Sequence, residues 1–169
     1  MYRSVLFLLI AVGFAGCAEP QPPEFLSKEH RFRVRFGSPP KVYDQPDNGI
    51  PTQLFTVVAP NGAYTVRAYE LPVPADAAAQ TADRLLDEAK GDLLRSVGGT
   101  PTAGESVVLA GKYPGRAFAA TAARPQPGLL RGRIYLAGTR LYKVTVFGAP
   151  DFVNSPDATA FLDSFMIVE

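Results

Sequence analysis

Cys17 is the only cysteine and His30 the only histidine among the 169 residues, which closes most nucleophilic and metal chemistry to this chain. A disulfide needs two thiols, and a zinc site needs a cluster of Cys and His ligands. His30 stands near the start of the folded part, and no Gly-x-Ser-x-Gly elbow occurs anywhere to supply a serine nucleophile. A structural role is therefore expected for His30. Asp44 and Asp47 beside Asn48 come nearest to a calcium loop, but they lack its Asp-x-Asp-x-Asp-Gly spacing, so a plain turn is expected. Asp83, Asp87 and Glu88 fit the solvated face of a helix. The glycines never fall in a phosphate-binding order. Two distant carboxylates could still meet as a glycosidase-like pair, although nothing in the sequence points to one. No catalytic residue and no metal ligand is assigned.

Cys17 itself has a context. Arg3 precedes the apolar run Val5-Leu-Phe-Leu-Leu-Ile-Ala-Val-Gly-Phe14, and the small residues Ala15 and Gly16 follow. A charged n-region, an apolar h-region and a small-residue cleavage site describe a secretory signal peptide. The run is shorter than the roughly 20 residues of a membrane-spanning helix. Phe14-Ala15-Gly16-Cys17 resembles the lipobox of bacterial lipoproteins, with Phe14 where leucine is usual. That resemblance implies diacylglyceryl transfer to the Cys17 sulfur, cleavage before Cys17 and acylation of the new amino group. The covalent lipid is the one cofactor-like group expected. Ala18 stands where an aspartate would retain an enterobacterial lipoprotein in the inner membrane, so the outer membrane is the expected destination. The chain then divides into a signal peptide over 1–16, a Pro-rich lipid-anchored tether over 17–30, and one globular domain over 31–169.

Loss of residues 1–16 removes only Arg3 from 17 Lys plus Arg and 16 Asp plus Glu, so the mature charges balance and net charge names no partner. Their distribution is uneven. No acid lies between Glu105 and Asp151, whereas Lys112, Arg116, Arg124, Arg131, Arg133, Arg140 and Lys143 all do. The stretch from Asp76 to Asp92 is correspondingly acidic. One meaning is a basic, aromatic-lined patch of Arg131, Arg133, Arg140, Tyr135 and Tyr142 for an anionic envelope component or an acidic partner. The plainer meaning is that arginine stems cover apolar sheet while their heads reach water or the acidic helix. Ordinary surface charge favours the plainer one. Nucleic acid is not an expected partner of an exported, net-neutral chain.

The elements that must position these groups follow from periodicity. Phe32, Val34 and Phe36 alternate with Arg31, Arg33 and Arg35, the period of a half-buried strand, and Gly37-Ser-Pro-Pro40 ends it. Residues 53–59 and 63–70 flank Pro60-Asn61-Gly62. Taking Asn61-Gly62 as a type I′ loop sets Val57 against Val66, Phe55 against Ala68 and Thr56 against Arg67. One long helix is expected over about Asp76 to Val97, with Asp76 as N-cap and Gly98-Gly99 as stop. Its apolar stripe is Ala82, Leu85, Leu86, Ala89, Leu93 and Val97. Further strands are expected over 105–109, 113–122, 130–136 and 140–147. Gly138-Thr139 suits a type II′ turn that pairs Tyr135 with Tyr142 and Ile134 with Lys143. Because that hairpin is apolar on both faces, both need cover. The long helix takes one; a short C-terminal helix opened by Ser155-Pro156-Asp157 takes the other. The expected class is α+β: an antiparallel sheet of about six to seven strands between helices.

This order resembles the Mog1/PsbP-type α/β/α sandwich. The residues that carry the likeness are Phe32-Arg-Val-Arg-Phe36 with Pro39-Pro-Lys41, Tyr113-Pro-Gly-Arg-Ala-Phe118, Arg131-Gly-Arg-Ile-Tyr-Leu-Ala-Gly-Thr-Arg-Leu-Tyr142 and Phe161-Leu-Asp-Ser-Phe165. Together they are similar to uncharacterised exported proteins of planctomycete-type bacteria. The likeness implies a fold and carries no activity with it. The expected function is a non-catalytic binding or assembly module of the bacterial envelope, held to a membrane by its lipid. An envelope-polymer hydrolase and a carrier of a small apolar ligand are the alternatives.

Overall fold

A computed structural model of the chain describes residues 23–47 and 49–169. The signal segment, Cys17 and Asn48 lie outside the described residues. In chain order the elements are β1 (Phe25–Ser27), β2 (Phe32–Val34), β3 (Lys41–Asp44), β4 (Gln53–Ala59), β5 (Gly62–Glu70), α1 (Ala75–Gln80), α2 (Ala82–Ser96), β6 (Thr100–Leu109), β7 (Tyr113–Ala122), β8 (Gly128–Ala137), β9 (Arg140–Gly148), α3 (Pro150–Val153), α4 (Pro156–Ser164) and β10 (Met166–Ile167). Seven strands form one sheet in the order β3-β4-β5-β9-β8-β7-β6, and β1-β2-β10 form a second, small sheet. Every pairing is antiparallel. The class is the α+β sandwich expected.

Alternation along β8 and β9 divides the core in two. Leu130, Ile134, Leu136 and Leu141 face α2, where they meet Leu86, Ala89 and Leu94 together with Phe118 of β7. Tyr135, Tyr142, Val144 and Val146 face the other way, against Phe32, Val34, Phe36, Phe161 and Phe165. Fully burying such a side chain stabilises by about 1.5–3 kcal/mol, which is why neither face can be left open. The second face is roofed by the small sheet together with α3 and α4, rather than by one short helix. Both chain ends build that roof.

Five details depart from the sequence reading. The first is the tether, which was expected to run to His30. Phe25 instead enters the body as part of β1, pairing with Val34 and packing its ring 5.5 Å from that of Phe55. Apolar Phe25 in a polar, Pro-rich segment was the signal. The second is β2, which leaves the large sheet for the small one; unexpected β3 takes the sheet edge beside β4.

The third departure is the 53–70 hairpin, whose register is displaced by two residues: Phe55 pairs with Val66, Thr56 with Thr65 and Val57 with Tyr64. Pro60 and Asn61 form the loop, and Asn61 and Gly62 are not among the residues of positive φ, which a type I′ turn requires. Proline's fixed φ near −65° suits the first turn position. Gly62 serves close approach instead, since a Cβ there would lie 2.4 Å from the Phe147 carbonyl oxygen and from the Phe152 ring. A shift of two keeps every side chain on its face.

Fourth, the long helix is two. Thr81 sits between α1 and α2 at φ −117° and ψ 19°, and its Oγ1 donates to the Ala77 carbonyl at 2.7 Å, a local competition that threonine brings to a helix. Fifth, Asp76 lies in the first turn of α1 rather than at its cap. The remaining signals hold. Gly98 at φ +58° ends α2, with Gly99 N–H donating to the Leu94 carbonyl at 2.7 Å and Gly98 N–H to Arg95 at 3.2 Å, a Schellman closure. The β8–β9 register is as expected, with Tyr135 opposite Tyr142, and Ser155 Oγ accepts from Ala158 N–H at 3.1 Å to cap α4.

Candidate functional site

The roof on the aromatic side is narrower than the sheet beneath it. Its helices reach β8, and beyond it only Val107 and Leu109 of β6 pack against the aromatic cluster, so much of β7 and β6 is open on that face. The side chains of β7 there are small, with Ala119 opposite Ala103 and Ala117 opposite Glu105. The result is a groove of about 640 Å³ between the β6–β7 floor and a wall of Arg131, Arg133, Tyr135 and Leu162. Three of the five patch residues expected from sequence therefore meet in one place.

Each wall residue is held by a second contact. Arg131 Nη1 donates to the Val153 carbonyl at 3.1 Å and Thr159 Oγ1 at 3.4 Å, tying β8 to α3 and α4. Arg133 Nη1 donates to the Leu162 carbonyl at 3.0 Å, and its Nη2 pairs with Asp163. Cations at a helix C-terminus satisfy carbonyls that have no partner within the helix. Arg131 makes no ion pair among the described residues, so its charge is uncompensated at the groove. Tyr135 is buried, its ring parallel to that of Phe165 at 5.7 Å. Gly115 admits that ring: a Cβ there would fall 2.5 Å from it. Burial raises the Tyr135 pKa and nearby Arg133 works against that rise, so the phenol is a neutral hydrogen-bonding group at neutral pH.

Arg140 and Tyr142 do not join them. Tyr142 lies beneath the small sheet, only 1% exposed, and its hydroxyl donates to the His30 carbonyl at 2.8 Å. Arg140 pairs with Glu70 at 2.5 Å across the β5–β9 edge, with its Nε buried and unpartnered. The five residues share a sheet face, but a continuous aromatic-lined surface is precluded because the tyrosines are core. His30 is likewise structural: Nε2 lies 2.8 Å from Gln53 Oε1, and its ring stands edge-on to Phe55.

Sequence reasoning missed Glu105, which stands in the groove opposite Arg133 across β7. A lone acid at the edge of a long basic stretch gave no reason to single it out. Asp83 and Asp87 stand on the exposed face of α2 as expected, where Arg116 Nε donates to Asp87 at 2.9 Å and Nη2 to Asp83 at 2.8 Å. Those bonds lower the Asp87 pKa, the hydrogen bond from Arg116 being the largest cause. Asp47, placed in a turn as expected, holds the nearly buried Lys143 Nζ at 2.7 Å and lies 3.7 Å from Arg67. Two of the seven basic residues are thus consumed by structural acids on the helix side. Among the described residues no group of three His, Cys, Asp or Glu is placed to hold a metal, and no helix is long and apolar enough to cross a membrane.

No protein-family profile matches the chain, and no curated protein matches it. Among solved structures it is similar to the solution structure of cyanobacterial PsbP (CyanoP) from Synechocystis sp. PCC 6803, at 12% identity over 94% of this chain and 98% of that one, with a TM-score of 0.55. A crystallised Pseudomonas aeruginosa protein of unknown function, PA94, aligns at 12% identity over 72% of this chain and 91% of that one, with a TM-score of 0.44. Of these, the first bears on architecture: with its seven-stranded antiparallel sheet roofed on both faces, this chain has a PsbP-like fold.

Proposed function

We propose that the protein is an exported lipoprotein of the bacterial envelope, anchored through lipid on Cys17, with the outer membrane as its destination. It acts there as a non-catalytic binding or assembly module. The observation that carries this reading is the segment Phe14-Ala15-Gly16-Cys17, which sets the sole cysteine directly behind a charged and then apolar leader. The groove supplies the binding surface. Arg131 and Arg133 are held rigidly by the ends of α3 and α4, and such preorganised guanidinium groups suit phosphate or carboxylate. Glu105 on the opposite side accepts a hydrogen bond from a hydroxyl or amine of the same ligand. An anionic glycan or an acidic envelope partner combines both features.

Mass spectrometry of the mature N-terminus tests the anchor. The expected product begins at a Cys17 carrying diacylglycerol; an unmodified chain, or one cleaved elsewhere, overturns it. Retention on native envelope material tests the groove. An Arg131→Gln/Arg133→Gln variant is expected to lose at least tenfold in retention, measured at a temperature below the thermal transitions of both variant and parent. Equal retention of variant and parent removes the groove from the reading.

A further inference from the structure

The small sheet has an outer face as well as a core face. Phe25, Ser27, Phe32, Val34 and Ile167 point inward, so their strand neighbours point out, and the register sets Leu26, Arg33 and Met166 in one row across it. Leu26 is 48% exposed. Lys28, Arg31 and Arg35 are exposed around that row, and none of their side chains makes a hydrogen bond or ion pair among the described residues. The acids of the same stretch are Glu24, which pairs with Arg33 at 3.3 Å, and Glu29. The surface therefore carries a positive excess around an apolar centre.

The opposite outer surface of the sandwich has the reverse character. Along α1 and α2 stand Asp76, Asp83, Asp87, Glu88 and Asp92 against Arg84, Lys90 and Arg95, an excess of two acids. The outer side of the small sheet is thus the more basic of the two surfaces, with the exposed Asp157 and Asp163 of α4 beside it in the same layer.

Chain length decides which surface meets a membrane. Phe25 lies eight residues beyond Cys17, and extended Pro-rich chain spans about 3.1 Å per residue. The first strand is thus within about 25 Å of the anchored sulfur, and it is the edge strand of the basic sheet. We infer that the outer face of the small sheet, with Lys28, Arg31, Arg33 and Arg35 around Leu26 and Met166, docks on a membrane surface of anionic headgroups. This rests on the anchored reading of Cys17 and adds an orientation to it. The basic face lies down, α1 and α2 point away from the membrane, and the Arg131–Arg133 groove opens on the membrane side of the large sheet.

The test uses Cys17 as a handle, so it does not require that the cell lipidate it. The mature chain from Cys17 to Glu169, which contains every described residue, is coupled through its single thiol to a maleimide-headgroup lipid in vesicles. Acetylation of Lys28 is then followed by mass spectrometry, with Lys41 as internal reference. Lys41 pairs with Thr56, whose side chain lies on the helix side of the sheet. On phosphatidylglycerol vesicles Lys28 is expected to react at least fivefold more slowly than on phosphatidylcholine vesicles, with Lys41 unchanged. Each cation near such a surface is worth about fivefold in binding, so Arg31→Gln/Arg35→Gln is expected to abolish the protection. Raising the salt to 1 M, where the screening length falls to about 3 Å, is expected to do the same. Equal slowing of Lys28 and Lys41, no slowing of Lys28, or protection that survives the double substitution overturns the inference. Any of these leaves the mass of the native N-terminus, and with it the anchor, to stand or fall separately.

Discussion

The two layers that cover the large sheet are made by different means. The helix side is covered by one local segment, α1 and α2, whose own buried side chains are aliphatic and whose rim is stitched by Arg116 to Asp83 and Asp87. The roof on the other side is assembled from opposite ends of the chain and is built of rings. Phe32 alone lies 5.0 Å from Phe55, 5.7 Å from Phe165 and 6.1 Å from Tyr142. Aromatic pairs add about 0.5–1.5 kcal/mol beyond area burial. The difference shows how a small domain can close non-local contacts: short strands of two to three residues hold because large rings, rather than long ladders, join them.

The largest effect expected from that contrast is on stability. Phe32→Ala should cost about 3–5 kcal/mol, and Leu86→Ala, at a buried leucine of α2, less than that within the range of about 2–5 kcal/mol, both measured by urea unfolding. A reversed order would break the comparison. Tyr142→Phe comes next. It keeps the ring and removes the hydroxyl that satisfies the His30 carbonyl, for an expected loss of about 1 kcal/mol; an unchanged midpoint would mean that β9 and the small sheet are not tied there.

The smallest effect is on pH dependence and probes both layers. Glu70 is held below its usual 4.5 by the hydroxyl of Thr139 and then by Arg140, and Asp87 below 3.8 chiefly by Arg116. A carboxyl whose folded pKa is depressed contributes stability that is complete above its unfolded pKa and is lost as pH falls through the folded one. Glu70→Gln should therefore flatten the stability profile from about pH 4.5 downward, and Asp87→Asn only from about pH 3.8. Parallel acid limbs in parent and variants would count against both pairs.

Sequence was most informative where a residue type has one physical reason to be present. Gly138-Thr139 specified its turn and hence the β8–β9 register; Gly98-Gly99 and Ser155-Pro156 specified helix ends. It was less informative where two reasons compete. Gly62 satisfies a type I′ turn and also a close approach to Phe152, and only the second operates. Thr81 fits a helix by pattern and breaks it by its hydroxyl. The three-residue β1 and two-residue β10 are too short to show a period at all. For the groove, Arg131, Arg133 and Tyr135 were legible from the β8 pattern, but its floor was not. Ala103 and Ala117 carry no chemical signature, and a hollow is made by what side chains do not fill.

β1 has a mechanical consequence. Any tension in the N-terminal segment enters the body at Phe25, whose strand offers only the pairs Phe25–Val34, Leu26–Arg33 and Ser27–Phe32 against peeling. The load is taken instead by the Phe25 ring, wedged against Phe32, Phe36 and Phe55. Drag on the body is then resisted by an aromatic peg before it reaches the large sheet, and a smaller residue at 25 would let the strap lengthen under force while the fold behind it stayed whole.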